Sequence, residues 1–141
     1  MIIAILGSSV FTKEMVDYMD RLEALGHTVR LHEHYIAQGR GGMKDLVERM
    51  HAEHGSVKKE YDYIRYHYDE IAGSDAILIL NFDKNGIENY IGGNSLMEIG
   101  FAYILRKKIY LLNPIPRMSY TDEIEAMDPI VIDSDLSLIG K

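Results

Sequence analysis

Cysteine is absent from this chain of 141 residues, which excludes disulfides, thiolate catalysis and cysteine-ligated zinc and fits a reducing compartment. A basic surplus is missing too. Fifteen Lys and Arg stand against 22 Asp and Glu, for a formal net charge of -7, and no basic stripe is present to neutralise nucleic-acid phosphates. Long hydrophobic runs are also lacking. Residues 1–6 are apolar, but no basic stretch precedes them and the run is too short for a secretory signal or a membrane span. These absences predict a cytoplasmic protein whose partners are neither nucleic acid nor membrane. No internal repeat, low-complexity tract or interdomain linker appears.

The composition is that of an ordinary globular protein, 47 % hydrophobic and 26 % charged. At this length roughly two-thirds of the unfolded chain's surface can be buried, so one domain spanning residues 1–141 is expected to fold without staples.

Apolar runs at 2–6, 76–80, 109–112 and 130–132 are unbroken rather than alternating, the pattern of strands buried on both faces. Residues 27–31 read as a further strand. Met15, Tyr18, Met19, Leu22 and Leu25 follow helical spacing, with Gly26 placed for a left-handed C′ residue. Tyr61, Ile64, Tyr68 and Ile71 form a second stripe, stopped by Gly73; Leu96, Ile99, Gly100 and Tyr103 form a third. Strand and helix alternate throughout. This order predicts an α/β fold, a doubly wound five-stranded parallel sheet of flavodoxin-like or Rossmann-like type with helices on both faces. The glycine-rich segment 37–43 and the polar helical piece after it, 44–53, read either as a lid or as a solvated connection.

In such sheets ligands bind beyond the carboxyl ends of the strands, where strand order reverses. Two segments qualify. Gly7-Ser8-Ser9 ends the first strand with small residues that admit an anion or a sugar, without being a Walker P-loop or a dinucleotide fingerprint. The third strand runs into a polar loop containing Asp83, Asn85 and Asn89, and then into Gly92-Gly93-Asn94-Ser95 and a helix carrying Glu98. Asp83 with Asn85 does not make a calcium loop, because Gly86 falls too early. Ser95-Leu96-Met97-Glu98 spells a capping box, in which serine and glutamate satisfy amides of the first turn. Alternatively, a carboxylate in a helix's first turn, held ionised by the macrodipole, suits a nucleophile.

Other residues have both bland and functional readings. His32 and His34 share one face of a possible strand, and His51 and His54 share a helix face around Glu53, but neither pair has the third ligand that zinc sites need. Tyr61, Tyr63, Tyr66 and Tyr68 supply core, or a ring to stack on a base. Arg65 is a solvated helix residue or a phosphate contact. Asn113, before Pro114, lies on the site side of the sheet and is a candidate substrate contact.

Together, the first strand ending in Gly7-Ser8, the Ser74-Asp75-Ala76-Ile77 segment, the run from Gly92 through Glu98-Ile99-Gly100-Phe101-Ala102, and Lys107-Lys108-Ile109 resemble the nucleoside 2-deoxyribosyltransferases and the related deoxynucleoside 5′-monophosphate N-glycosidases. The resemblance reaches from the first strand to about Asn113. It implies that Glu98 attacks the anomeric carbon of a 2-deoxynucleoside, expels the base and forms a covalent deoxyribosyl-enzyme, which a second base or water resolves. It further implies that Gly92 and Gly93 let the backbone close on the sugar, and that Gly7 and Ser8 line the sugar or its 5′ end. The family's aspartate upstream of the position of Asp75 is replaced here by His67, with Asp69 nearby, and Asn89 is the nearest polar residue where some members have a second aspartate. His67, Asp83 and Asn85 are therefore the candidates for placing the sugar or assisting base departure. No metal or organic cofactor is implied; a homo-oligomer is. Two competing readings are a non-catalytic nucleotide-binding module, in which Glu98 caps its helix, and an interaction domain of flavodoxin-like shape.

Overall fold

Unbroken apolar runs become strands because only a strand covered on both faces can bury every side chain it carries. In the computed structural model, which describes residues 1–42, 44, 48, 49, 52, 55, 59 and 62–141, four such runs and a short, more exposed edge strand form one five-stranded parallel sheet. Its strands are β1 Ile2–Gly7, β2 Thr28–Arg30, β3 Ala76–Leu80, β4 Lys108–Leu111 and β5 Ile130–Val131, in the order β2-β1-β3-β4-β5. Helices α1 Thr12–Ala24, α2 Glu33–Gly39, α3 Tyr63–Ala72, α4 Gly93–Ile104 and α5 Thr121–Ala126 flank it. This is the doubly wound, flavodoxin-like architecture expected from the alternation of runs. Among the described residues no helix is long and apolar enough to cross a membrane.

Side-chain alternation along the strands divides the core into two layers. Ile3, Ile5, Leu78, Leu80 and Tyr110 point to one face, where Met15, Met19 and Leu22 of α1 cover them. Ala4, Leu6, Ile77, Ile79, Ile109 and Leu111 point to the other, under Ile71 of α3, Ile99 and Ala102 of α4 and Ile124 of α5. Each fully buried Ile or Leu contributes on the order of 1.5–3 kcal/mol. α1 ends at Leu25, and Gly26 follows with φ +93°, the left-handed C′ glycine that its position predicts.

Several local expectations are corrected. β2 is shorter than 27–31, and the chain turns at once into α2, whose N-cap is His32. His32 and His34 therefore sit at a helix start and do not share a strand face. The glycine-rich segment contributes its first three residues to that helix. On α3 the buried residues are Tyr63, Glu70 and Ile71, whereas Ile64 and Tyr68 are exposed. On α4 the buried residues are Ser95, Glu98, Ile99 and Ala102, with Tyr103 outside. In both helices the apolar stripe misjudged the inward face, because that face also closes a polar cavity. Tyr61, His51, Glu53 and His54 lie outside the described residues.

α2 crosses α1 at Gly39. A Cβ there would meet the Thr12 carbonyl oxygen and lie 2.5 Å from Val16 Cγ2. Gly39→Ala is expected to destabilise the fold by about 1–3 kcal/mol, as overpacking of a close helix contact does, and urea unfolding would measure the loss.

Candidate functional site

β1 is followed in the chain by β2 on one side of it and then by β3 on the other, so the order reverses at the β1–β3 pair. The crevice beyond the carboxyl ends of these two strands is the place where open α/β sheets bind ligands. β1 and β3 pair from Ile3↔Ala76 to Gly7↔Leu80, which brings their ends level. Gly7 has φ +155°, and a Cβ on it would come within 3.1 Å of the Leu80 carbonyl oxygen. Glycine is what lets the chain leave β1 this close to β3.

α4 approaches the same crevice with its N-terminus. Its N-cap residue is Gly92, which makes no side-chain cap, and the helix starts at Gly93. Ser95 is thus already inside the first turn and Glu98 is the sixth helical residue. The Ser95–Glu98 capping box does not form, and Glu98 stands beyond the first-turn amides that would have held it. Instead it is buried in the layer between α4 and α3, with its side chain 4 % exposed. Its Oε2 lies 2.8 Å from Nδ1 of His67 on α3. The contact is a charge-pair distance without hydrogen-bond alignment, since Glu98 Oε2 has no hydrogen-bond partner.

Above this pair opens a cavity of about 330 Å³. Nine of the thirteen candidate catalytic and substrate-binding residues line it: Gly7, Ser8, Ser9, His67, Gly92, Gly93, Asn94, Ser95 and Glu98. The size falls within the range of small-molecule pockets. Four candidates are not brought there. Asp83 accepts a hydrogen bond from the Asn89 amide at 2.9 Å, and both residues line a separate depression with Asn113. Asn113 is a joint of the scaffold: its backbone N–H donates to Asn81 Oδ1 at 2.9 Å and its side-chain amide donates to the Asn81 carbonyl at 3.1 Å. Asn85 is exposed in a turn, with φ +54°.

The cavity also takes Tyr63, one of the tyrosines read as core or as a ring for a base, and Tyr35, Lys84, Tyr90 and Met97, which were not among the site candidates. Lys84 was legible in principle, since it follows a fully buried strand at the end where ligands bind. Tyr35 was not, because α2 was read as strand and loop. Arg65, by contrast, pairs with Asp62 at 3.1 Å on the open surface, away from the cavity.

Behind His67 lies a buried aromatic and imidazole cluster. His32 Nδ1 accepts the His34 amide at 2.9 Å, and the His32 ring lies 4.1 Å from that of Tyr66 and 4.8 Å from that of Tyr63. His34 Nδ1 is 2.8 Å from the Tyr63 hydroxyl. Burial, with the neighbouring His34 and His67, holds the His32 imidazole down to about 4. Burial likewise pushes the Tyr35 hydroxyl up, helped by Glu98 and Tyr63. Burial also raises the Glu70 carboxyl against the opposing pull of His67, and Glu70 Oε2 has no hydrogen-bond partner. Among the described residues no three His, Cys, Asp or Glu side chains are grouped to hold a metal ion. Comparison with family models, curated proteins and solved structures finds no significant match to this chain.

Two pH effects follow. Folded His32 titrates below its unfolded value of 6.5, so the native state binds fewer protons and stability falls as pH drops from 6.5 towards about 4. The shift sets this loss at roughly 3 kcal/mol at most. His32→Asn keeps an N-cap acceptor and is expected to flatten the fall in urea melts, while imidazole NMR shifts should show the wild-type ring titrating near pH 4. Glu70 has the opposite sign: its folded pKa is raised, so its contribution is present below the unfolded value and lost as pH rises through the folded one. Glu70→Gln should gain stability relative to wild type as pH rises above the ordinary carboxylate range, measured by thermal unfolding at a series of pH values.

Proposed function

We propose that the cavity is the active site of an enzyme that cleaves or transfers the N-glycosidic bond of 2-deoxynucleosides or their 5′-monophosphates, through a covalent deoxyribosyl-glutamate on Glu98. The observation that carries the reading is a buried carboxylate lining an open cavity, with one oxygen lacking any hydrogen-bond partner. A buried acceptor without a hydrogen bond costs on the order of 1–3 kcal/mol, and its one close neighbour, His67, meets it only as a charge pair, so its persistence at a cavity wall calls for a use. The resemblance of the Gly92 to Ala102 segment to the deoxyribosyltransferases supplies that use.

The chemistry is that of a retaining glycosidase. A Glu98 oxygen forms a bond to C1′ as the C1′–N bond breaks. The bonding electrons leave with the base, which takes up a proton. Water or a second base then attacks C1′ and releases the carboxylate, giving free sugar or a new nucleoside. Asp83 lines a different depression, so the proton falls to His67, the titratable group beside Glu98. Tyr35, Tyr63 and Tyr90 offer aromatic faces for the base, a contact worth about 1–3 kcal/mol in other base-binding sites. The 2.8 Å approach of His67 to Glu98 also suits a second reading, a non-catalytic nucleotide-binding module in which the two groups satisfy each other.

Base release from deoxynucleosides and their monophosphates, followed by chromatography with and without an acceptor base, separates the two. Wild-type protein is expected to release base, and Glu98→Gln and Glu98→Ala to lose about three orders of magnitude or more with an unchanged circular dichroism spectrum. Tight binding without release by the wild type would select the binding module, and release by Glu98→Gln at the wild-type rate would remove Glu98 from the reaction.

A further inference from the structure

We propose that Lys84 makes the cavity selective for a phosphomonoester, so that the substrates are taken as 5′-monophosphates in preference to free nucleosides; this names the substrate class of the site under Proposed function and rests on that reading. Lys84 is the one Lys or Arg side chain among the described residues that line the cavity, in a chain whose net charge is -7. The loop after β3 turns back on itself through reciprocal backbone bonds between Lys84 and Ile87, at 3.1 and 3.0 Å. Asn85 at φ +54° and Gly86 at φ +74° make the turn. This fold-back carries the ammonium across to the end of β1, where Nζ donates to Ser8 Oγ at 2.8 Å. The Tyr90 ring lies 5.4 Å from the same nitrogen.

The hydrogen-bond inventory determines what such a pair can receive. A serine hydroxyl has two acceptor lone pairs and one donor proton. Ser8 Oγ accepts from Lys84 Nζ and, at 3.5 Å, from the Val10 amide, so its proton is left to donate. An ammonium has three donors, of which Ser8 takes one. The pair therefore presents donors and positive charge, and no carboxylate among the described residues forms an ion pair with Lys84. The adjacent Asp83 is bound to the Asn89 amide and lines a different depression. An anion rich in acceptor oxygens fits this arrangement; a neutral 5′-hydroxyl leaves the charge unmatched.

Titration calorimetry in a Glu98→Gln background, where ligands are not consumed, tests the assignment with deoxynucleosides, their 5′-monophosphates, 2-deoxyribose 5-phosphate and inorganic phosphate. Monophosphates are expected to bind about ten- to a hundredfold tighter than nucleosides, the range of a charge-assisted hydrogen bond. Lys84→Met should abolish that preference together with binding of 2-deoxyribose 5-phosphate, and Lys84→Arg should retain both. Equal binding of nucleoside and monophosphate, a preference that survives in a folded Lys84→Met protein, or binding of inorganic phosphate with no preference among the nucleosides would each overturn it. Base release without the preference would leave the glycosidase reading intact and remove Lys84. The preference without base release from protein retaining Glu98 would keep Lys84 and remove the reaction.

Discussion

The pairing of β1 with β3 is the constraint on which the rest of the structure depends. Both strands are buried on both faces, and their register runs to the last residue of each, so the two chain segments that leave them do so side by side. Asn81, fully buried at the end of β3, extends the alignment to the next strand by exchanging hydrogen bonds with Asn113 and donating to the Pro114 carbonyl at 3.1 Å. A buried amide with its partners satisfied is rigid. The loop that carries Lys84 and leads to Gly92 therefore starts from a fixed point, and the cavity inherits its walls from the sheet.

Polar groups are buried unevenly around that sheet. Beneath α1 the sheet is covered by Met15, Met19 and Leu22. Where α2, α3 and α4 meet, His32, Tyr35, Tyr63, His67, Glu70 and Glu98 crowd into one region, and two carboxylate oxygens in it lack hydrogen-bond partners. Buried groups of this kind oppose folding and perturb one another's protonation. The apolar layers offset that cost, and the polar region is left as a preorganised electrostatic environment next to an open cavity. Sites that do chemistry on small molecules are built this way.

Strand runs were legible because a doubly covered strand has to be apolar at every position, a signal that needs no knowledge of the neighbours. The inward faces of α3 and α4 were not, because Glu98 and His67 are polar residues on buried faces, and a hydrophobic stripe cannot reveal a helix that closes a polar cavity. The start of α4 was missed for a related reason. Ser95 and Glu98 have the spacing of a capping box, but the Gly92-Gly93 turn already begins the helix, which moves both residues inward. The histidines of α2 were placed on a strand because Thr28–Arg30 and the residues after it continue a mixed pattern without a breaking glycine or proline.

By itself the sequence determined the fold class, the order of the strands along the chain, and the two segments that meet at the switch point, since apolar runs and strand–helix alternation leave few alternatives. Only the tertiary structure decided which polar residues share a cavity. Asp83, Lys84 and Asn85 are consecutive, yet one turns to an amide, one crosses to Ser8 and one faces solvent. That division depends on left-handed backbone at Asn85 and Gly86 and on hydrogen bonds to residues distant in the chain, neither of which is written in residue type or spacing.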